Sequence, residues 1–503
     1  MMEGAVIHTL MAFAPEAVLA VVALFLLVLG AVIGHRSAAL GTGLAVAVLL
    51  LGAGVSAFLL MHPVPEGCFA VPSGWFDDSY CEGQMLPGFV RSMLVNDSFA
   101  NFSKLVLLLG AAGSLLVFWP SLKRTDLGKP EYPVLVLLAT LGMMVMVSAQ
   151  NLLALYVGLE LQSLSLYILV TLERDRPTSG EAGMKYFVMG AVTSGILLYG
   201  LSLIYGAAGG LGFADIAKAA AAGDAGEGFP LGLRVGLLFL VAGLAFKVAA
   251  VPFHMWVPDV YEGAPTPVTA FVAAVPKVAA FVVLVRLLTG PFAPLADVWG
   301  PPVQVMAVAS MALGALAGMT QTNLKRLMGY SAIVHAGVAL VGLASLPQQG
   351  PAFGNVVLIY VIIYAVTVLG VFGILAGLKR QGRPAETLDD LAGFGRSHPL
   401  WAAAFAIFLF SLAGVPPLAG FFAKYVVFAA AVEAHQTYLA VMGVLASLVS
   451  ARYYLRVVRA IYFDEAAPGA TLDPLRSVPL GLVTALAALA VVAFVIHPAI
   501  LIR

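Results

Sequence analysis

The sequence predicts an all-α polytopic membrane protein. Hydrophobic residues make up 61% of its 503 residues, charged residues make up only 10%, and the mean hydropathy is +1.00. Soluble domains carry about 25% charged residues, so no sizeable soluble domain can be separated from this chain. The formal net charge is zero, which gives no indication of a nucleic-acid partner. We therefore expect the lipid bilayer to be the main surroundings of the chain.

Hydropathy predicts about 14 transmembrane helices, each at least about 17 residues long, as the apolar core of a bilayer requires. The predicted spans are 13–33, 38–61, 98–119, 132–149, 151–172, 182–206, 232–256, 267–289, 302–319, 324–345, 354–378, 399–428, 434–462 and 478–500. The first span is as apolar as a signal peptide. Glu16 stands where a signal peptide would have a basic region, so we interpret this span as a membrane helix.

The spans group into three regions. Residues 1–130 hold the N-terminal helices, 131–463 hold a central core, and 464–503 hold the last helix. Within the core, blocks 132–289 and 302–462 contain five spans each. Because five is an odd number, the second block would have the opposite orientation in the membrane to the first. The two blocks share no convincing sequence similarity, so an inverted repeat of two five-helix half-channel bundles is compatible with the sequence without being required by it.

Basic residues predict the orientation, because they concentrate in alternate loops between the spans. The positive-inside rule assigns those loops to the cytoplasm and both chain termini to the outer side. The basic residues of these loops are Arg36, Lys123, Arg124, Lys129, Arg174, Arg176, Lys325, Arg326, Lys379, Arg380, Arg383, Arg396, Arg459 and Arg476.

The predicted outer loop 63–96 holds the two cysteines of the chain, Cys68 and Cys81. An oxidising compartment favours a disulfide between them. Two unrelated thiols are the alternative.

Prolines inside the spans predict broken helices. Pro removes a backbone donor and clashes with the preceding turn, and such breaks persist in membranes where they face protein or a wet cavity. Three prolines lie within eight residues of a lysine, at Lys247/Pro252, Pro276/Lys277 and Pro417/Lys424. Simple packing kinks are the alternative, but the pairing with lysine favours discontinuous helices of the kind found in ion-coupled transporters.

Charged side chains lie in these apolar spans although each costs about 2.5–3.5 kcal/mol at the centre of a membrane helix. Burial disfavours the charged form of a lysine, which lets it exchange protons near neutral pH, and histidine already titrates there. The sequence therefore indicates a row of titratable groups that could conduct protons. Its predicted members are Glu160, Lys185, Lys247, Lys277, His335 and Lys424.

Several neighbours could support this row. Tyr156 and Ser163 share a helix face with Glu160, and His254 follows Lys247 by seven residues. We expect Lys185 to be one possible partner of Glu160, and a structural clamp between two helices is the alternative. The alternative for Lys424 is a side chain that snorkels to the membrane surface, and we expect snorkelling of Lys104 near its helix end.

Motifs for cofactors are missing from the sequence. It has no P-loop, no GxGxxG before a soluble helix, no CxxC set and no His pair at haem spacing. We therefore expect the chain itself to bind no nucleotide, flavin, iron–sulfur cluster, haem or metal, and to carry out no redox chemistry.

The chain resembles the antiporter-like membrane subunits of proton-pumping NADH:quinone oxidoreductase (respiratory complex I) over about residues 98–463. The sequence motif HMWVPDVYEGAPTPVTAF resembles the subunit N branch most. Lys424 argues against the subunit M branch, which has a glutamate at that position. The resemblance rests on the stretches LLALYVGLELQSLSLYILV, FKVAAVPFHMWVPDVYEGAPTPVTAFVAAVPKVAAF, QTNLKRLMGYSAIVHAGVALVG and SLAGVPPLAGFFAKYVVF.

The resemblance implies a role for each member of the row. Glu160 and Lys247 would be the coupling pair of the first half-channel, Lys277 and His335 the central connection, and Lys424 part of the outward half-channel. Lys185 matches a further lysine of the family. Pro252 and Pro417 would lie at the helix breaks.

The resemblance also implies partners and a location. The partners would be other membrane-arm subunits of complex I, including paralogous antiporter-like subunits, in a bacterial inner membrane. NADH, FMN, iron–sulfur clusters and quinone would be bound elsewhere in the complex. The alternative is a subunit of a multi-subunit Na⁺/H⁺ antiporter, which shares the same helices and lysines. A solute carrier or a structural scaffold fits the repeated buried lysines poorly.

Overall fold

Helices make up nearly all of the part of the chain that the computed structural model describes, which is residues 13–62, 93–123, 127–222, 230–349, 354–465, 472–473 and 477–496. Cys68 and Cys81 lie outside the described residues. The helices are α1 (Ala14–Ile33), α2 (Ala38–Met61), α3 (Ser98–Phe118), α4 (Glu131–Ser148), α5 (Leu152–Val170), α6 (Pro177–Ala208), α7 (Phe213–Ala222), α8 (Leu231–Val248), α9 (Trp256–Gly263), α10 (Thr266–Thr289), α11 (Ala296–Gly318), α12 (Leu324–Gln349), α13 (Gly354–Gly377), α14 (Phe394–Ser397), α15 (Pro399–Ala413), α16 (Ala419–Glu433), α17 (Thr437–Tyr462) and α18 (Val478–Ile496).

The predicted all-α membrane architecture is confirmed, because every predicted span coincides with one of these helices or with two halves of a broken helix. Eleven helical segments of the described chain are long and apolar enough to cross a membrane, and the first of them contains both α1 and α2. The remaining apolar helices, Pro399–Ala413 and Val478–Phe494, are shorter. A short hairpin of β1 (Lys379–Arg380) and β2 (Arg383–Pro384) lies in the loop after α13.

The core of the protein lies around α10. In the most apolar 18-residue stretch of α10, every residue is buried. In the corresponding stretches of α12 and α13, 94% and 89% of the residues are buried, whereas in the α1–α2 segment only 17% are. Side chains at lipid-facing positions need no protein contact, so α1 and α2 form the edge of the fold. Groups on α10, α12 and α13 are therefore shielded from lipid by other helices.

Two of the predicted spans are broken, as the prolines indicated. The first break follows α8, where Ala249 has φ +69° and its N–H donates to the carbonyls of Ala245 and Phe246. The second break follows α15, where Gly414 has φ +85° and makes the equivalent bonds to the last turn. Glycine adopts this left-handed conformation without steric cost. Pro252 and Pro417 each lie three residues after the left-handed residue, whereas Pro276 lies inside the continuous helix α10.

The two breaks lie at corresponding places in the two predicted blocks. The first block consists of α4, α5, α6, the broken helix α8–α9, and α10. The second consists of α11, α12, α13, the broken helix α15–α16, and α17. In each block the fourth of five helices is discontinuous, which matches the two inverted five-helix bundles that the sequence predicts.

Candidate proton-conducting row

The predicted row of titratable groups lies on core helices of both blocks. Glu160 is on α5, Lys247 in the last turn of α8, Lys277 on α10, His335 on α12 and Lys424 on α16. The three lysines and the histidine are between 2% and 6% exposed. Such burial of ammonium groups is costly without ion pairing, so their immediate partners decide what each can do.

Lys247 is held by a hydroxyl group. Its Nζ donates to Ser163 Oγ at 2.7 Å, and it lies 5.3 Å and 5.8 Å from the ring centroids of Phe246 and Tyr167. Glu160 acts on Lys247 electrostatically, yet no ion pair among the described residues joins the two. Ser163 is one turn beyond Glu160 on α5, so a serine occupies the place next to the ammonium that the carboxylate would take.

Lys185 does not pair with Glu160. Its Nζ is 2.8 Å from carboxylate oxygens of both Glu181 and Asp259, and its side chain is 43% exposed. The reason is packing, because α6 begins at Pro177 and the lysine reaches the first turn of α9 from there. The expected pairing is therefore wrong, and a role of Lys185 in proton transfer stays a prediction.

His254 does not share a helix face with Lys247. The helix α8 ends at Val248, and His254 lies in the break before α9, where it is half-buried. A spacing of seven residues places two side chains on one face only within a continuous helix, and this helix ends before His254. Any role of His254 therefore stays a prediction. Tyr156 lies on α5 one turn before Glu160, partly exposed, and Pro252 is exposed in the same break.

Lys277 has no polar partner among the described residues. Its Nζ makes no hydrogen bond and lies 5.6 Å from the ring centroids of both Tyr261 and Tyr364. Aromatic rings stabilise a cation through their negative faces, and this contact is weaker than an ion pair. The ammonium at the centre of the fold is therefore stabilised less than a paired lysine would be.

His335 lies between two tyrosines from neighbouring helices. Its Nδ1 is 2.6 Å from the hydroxyl of Tyr360 on α13, and its Nε2 is 3.2 Å from the hydroxyl of Tyr454 on α17. Lys277 and Lys424 both act on it electrostatically. His335 therefore lies within electrostatic reach of both lysines.

Lys424 is bound at the end of a half-helix and does not snorkel. Its Nζ donates to the carbonyls of Leu412 and Ala413 at 2.9 Å and 3.2 Å, and the residue is 5% exposed. These carbonyls end α15, where the helix dipole favours a cation. Lys247 also lies at such an end, in the last turn of α8. Both breaks therefore place an ammonium at the negative end of a half-helix.

The sequence of this chain is similar to the sequences of known membrane proteins. Residues 149–450 match the family described as NADH:quinone oxidoreductase/Mrp antiporter, TM. NADH-quinone oxidoreductase subunit N of Rhodospirillum rubrum is 49% identical over 410 residues, 82% of each chain. Subunit N 1 of Rhizobium meliloti is 48% identical over 452 residues, 90% of this chain and 88% of that one. The chain belongs to the NADH-quinone oxidoreductase subunit N family.

Solved structures share the fold of this subunit N family member. A chain of respiratory complex I from Thermus thermophilus is 30% identical with a TM-score of 0.77, covering 97% of this chain and 98% of that one. A chain of the Mrp complex from a Dietzia species is 22% identical with a TM-score of 0.82, covering 98% and 96%. The latter likeness concerns the fold alone.

Two further buried lysines of the subunit N family chain lie outside the row. Lys104 on α3 is 0% exposed, and its Nζ is 2.6 Å from Glu16 Oε1 on α1. The expected snorkelling of Lys104 is therefore wrong, because α1 brings a carboxylate to it. Lys325 is 1% exposed and its Nζ is 3.0 Å from Glu386 Oε1.

The residues that sequence reasoning missed are mainly tyrosines. Tyr360 and Tyr454 bind His335, and Tyr261 and Tyr364 flank Lys277. Each belongs to a different helix from the charged group that it contacts, so no spacing in the sequence could pair them. The available signal was the presence of polar aromatic side chains in apolar spans.

Proposed function

We propose that this chain conducts protons through the membrane as a membrane-arm subunit of an NADH:quinone oxidoreductase. The observation that carries the proposal is the buried row itself. On helices of the two five-helix blocks lie three lysines and a histidine, with no carboxylate of the described residues within ion-pair distance. A purely structural protein has no need for such costly groups. The membership of the subunit N family supports the same function.

In this proposal, Glu160 controls the proton on Lys247. A carboxylate close to the ammonium stabilises the protonated lysine, and withdrawal of the carboxylate releases that proton. In the described arrangement Ser163 holds the ammonium instead. We therefore propose that this arrangement precedes the closer approach of Glu160, because its carboxylate is within electrostatic reach of Lys247 but not within ion-pair distance.

The released proton would then move through the central groups. Lys277 has no hydrogen-bond partner among the described residues and lies between two aromatic rings, so it can hold a proton without holding it tightly. His335 takes it next, and Lys424 receives it at the carbonyl end of α15. Moving one charge against 100 mV requires about 2.3 kcal/mol, which is of the order that forming or losing one buried ionic contact supplies.

The energy for this movement would come from partner subunits. We propose that quinone is reduced elsewhere in the complex, with NADH, FMN and iron–sulfur clusters bound by other chains, and that this chain is a non-redox subunit. Its partners would include paralogous antiporter-like subunits. We place it in a bacterial inner membrane, with both termini on the outer side by the positive-inside rule.

Purification with native partners tests this assignment first. The tagged chain is isolated from its membrane in mild detergent, and NADH:quinone reductase activity is assayed together with mass-spectrometric identification of bound proteins. The proposal predicts an inhibitor-sensitive quinone reductase. Recovery of several antiporter-like proteins without redox activity would instead support the Na⁺/H⁺ antiporter, for which the relatives above give less support.

Lys247→Ala tests the proton route. Loss of one proton-transferring group slows transfer by about 10²-fold or more, so fewer protons should cross the membrane per NADH in vesicles that carry the assembled enzyme. Lys379→Met is the matched control, because Lys379 lies in the hairpin after α13, outside the row. Normal pumping by an assembled Lys247→Ala enzyme would refute the role of the row.

A further inference from the structure

Both ring nitrogens of His335 are occupied by tyrosine hydroxyls. Nδ1 is 2.6 Å from Tyr360 and Nε2 is 3.2 Å from Tyr454. The Tyr454 hydroxyl is also 2.5 Å from Ser331 Oγ, and either oxygen can donate in that contact. All four residues are at most 5% exposed. Each ring nitrogen of His335 therefore has a tyrosine hydroxyl as its hydrogen-bond partner.

The protonation state of His335 dictates how these hydroxyls point. A neutral imidazole has one donor and one acceptor nitrogen, so one tyrosine accepts from the ring and the other donates to it. An imidazolium donates at both nitrogens, so both tyrosine oxygens must accept. When His335 gains a proton, the hydroxyl that was donating to it must therefore turn to another acceptor. Ser331 Oγ is such an acceptor for Tyr454.

Tyr360 and His335 line the same small cavity, together with Thr367, Ser411 and Leu412. Its free volume is at the lower limit of what one ordered water needs, and the hydroxyls of Thr367 and Ser411 are among the polar groups of its wall. The carbonyl of Leu412 accepts from Lys424 Nζ. The cavity thus connects the His335–Tyr360 pair with the surroundings of Lys424.

We propose that Tyr360 is a proton-relay residue between His335 and the Lys424 side, and that Tyr454 with Ser331 is a positioning pair that sets the direction of the imidazole hydrogen bonds. In the relay, the Nδ1–H bond breaks as a new O–H bond forms on Tyr360. The original hydroxyl proton of Tyr360 passes at the same time to a water molecule in the cavity, whose oxygen forms the new O–H bond and passes a proton on toward the Lys424 amine. The tyrosine ends neutral and one proton has moved. This inference rests on the proposed function.

The test uses the assembled complex in vesicles. Tyr360→Phe removes the hydroxyl and keeps the ring, so we expect normal assembly and thermal stability, with at least tenfold slower proton transfer through this chain and fewer protons per NADH. Tyr454→Phe should slow transfer less and should change the infrared signature of the His335 imidazole, which a merely structural role would not move. Tyr132→Phe is the control, because this buried tyrosine donates to Pro267 on α10 and contacts no member of the row.

The outcomes separate the relay from the function on which it rests. Loss of pumping in Lys247→Ala with normal pumping in Tyr360→Phe would overturn the relay alone. Normal pumping in both would overturn the proposed function. If Tyr360→Phe reduces assembly, a fluorinated tyrosine at this position keeps ring and hydroxyl. The relay then predicts a changed solvent deuterium isotope effect on pumping, and an unchanged isotope effect would overturn it.

Discussion

Buried lysines occupy two regions of the described molecule, and the regions differ in whether a carboxylate meets the ammonium. Lys104 on α3 and Lys325 at the start of α12 each lie within 3.0 Å of a glutamate oxygen. Among the described residues, Lys247, Lys277 and Lys424 of the central row are not within ion-pair distance of a carboxylate, and their nearest polar or aromatic contacts are a hydroxyl, carbonyls or rings. Residue type is the same in both regions and all five lysines are buried, so the carboxylate partner is the main difference between them.

Under the proposed function, this difference separates a structural from a proton-transferring use of the same side chain. A paired lysine cannot lose its proton without leaving its carboxylate buried and uncompensated, so its charge is fixed. A lysine with neutral neighbours can lose its proton without that penalty. The comparison therefore makes opposite predictions: a change in the carboxylate pairs of Lys104 and Lys325 should cost stability, and a change in the row should cost transport.

The largest loss of stability should follow from Glu16→Gln. It leaves the fully buried ammonium of Lys104 without its counter-charge, and breaking a buried ion pair from one side costs about 3–5 kcal/mol. We expect a clearly lower unfolding temperature of the purified protein in detergent. Glu465→Gln is the control, because its pair with Arg396 is about 80% exposed on both sides and such pairs contribute at most about 1 kcal/mol.

An unchanged unfolding temperature of Glu16→Gln would contradict the structural role of the Glu16–Lys104 pair. It would also remove the distinction between the two regions, because a buried lysine would then tolerate the loss of its carboxylate.

Glu386→Gln should have a smaller effect that depends on pH. Glu386 lies in the loop before α14, where Lys325 and Arg176 both bind its oxygens. Burial alone would raise its pKa, but these two cations outweigh burial and hold the pKa below its ordinary value of 4.5. Glutamine still accepts hydrogen bonds and Lys325 keeps its bond to the Ala264 carbonyl, so we expect a loss of about 1–3 kcal/mol near neutral pH.

The sign of the pH dependence follows from the lowered pKa. Ionised Glu386 stabilises the folded state fully above pH 4.5, and this contribution disappears as the pH falls through the lowered pKa. Unfolding temperatures of the wild type and Glu386→Gln, measured from neutral to acid pH, should therefore converge on the acid side. A difference that grows toward acid pH would show that the carboxylate is not stabilised by these cations.

The sequence alone was sufficient for the helices and for the burial of Lys247, Lys277, His335 and Lys424. Apolar runs of membrane length, interrupted by polar linkers, locate the spans, and Pro252 and Pro417 mark the two breaks because proline cannot continue a hydrogen-bonded helix. Lysines in apolar spans are conspicuous for the same energetic reason that makes them rare. These signals are local, so they can be seen without knowing which helices are neighbours.

The partners of the charged groups could not be predicted, because they come from other helices. Lys104 was expected to snorkel from its position on α3, and only the packing of α1 shows that Glu16 reaches it. Lys185 was expected near Glu160, and the packing of the first turn of α9 against α6 decides that it meets Asp259. Tyr360 and Tyr454 are separated from His335 by 25 and 119 residues. Sequence spacing carries no information about such contacts.

The central claim is tested most directly by Lys277→Met in the assembled complex, with protons pumped per NADH and the unfolding temperature measured on the same preparation. Lys277 lies where the two half-bundles meet, and its Nζ has no hydrogen-bond partner among the described residues. Replacing an unpaired buried charge with an apolar side chain of similar length should leave stability unchanged or higher. We predict fewer protons per NADH at an unchanged or higher unfolding temperature. Normal pumping together with a lower unfolding temperature would contradict the account, because Lys277 would then be a structural lysine like Lys104.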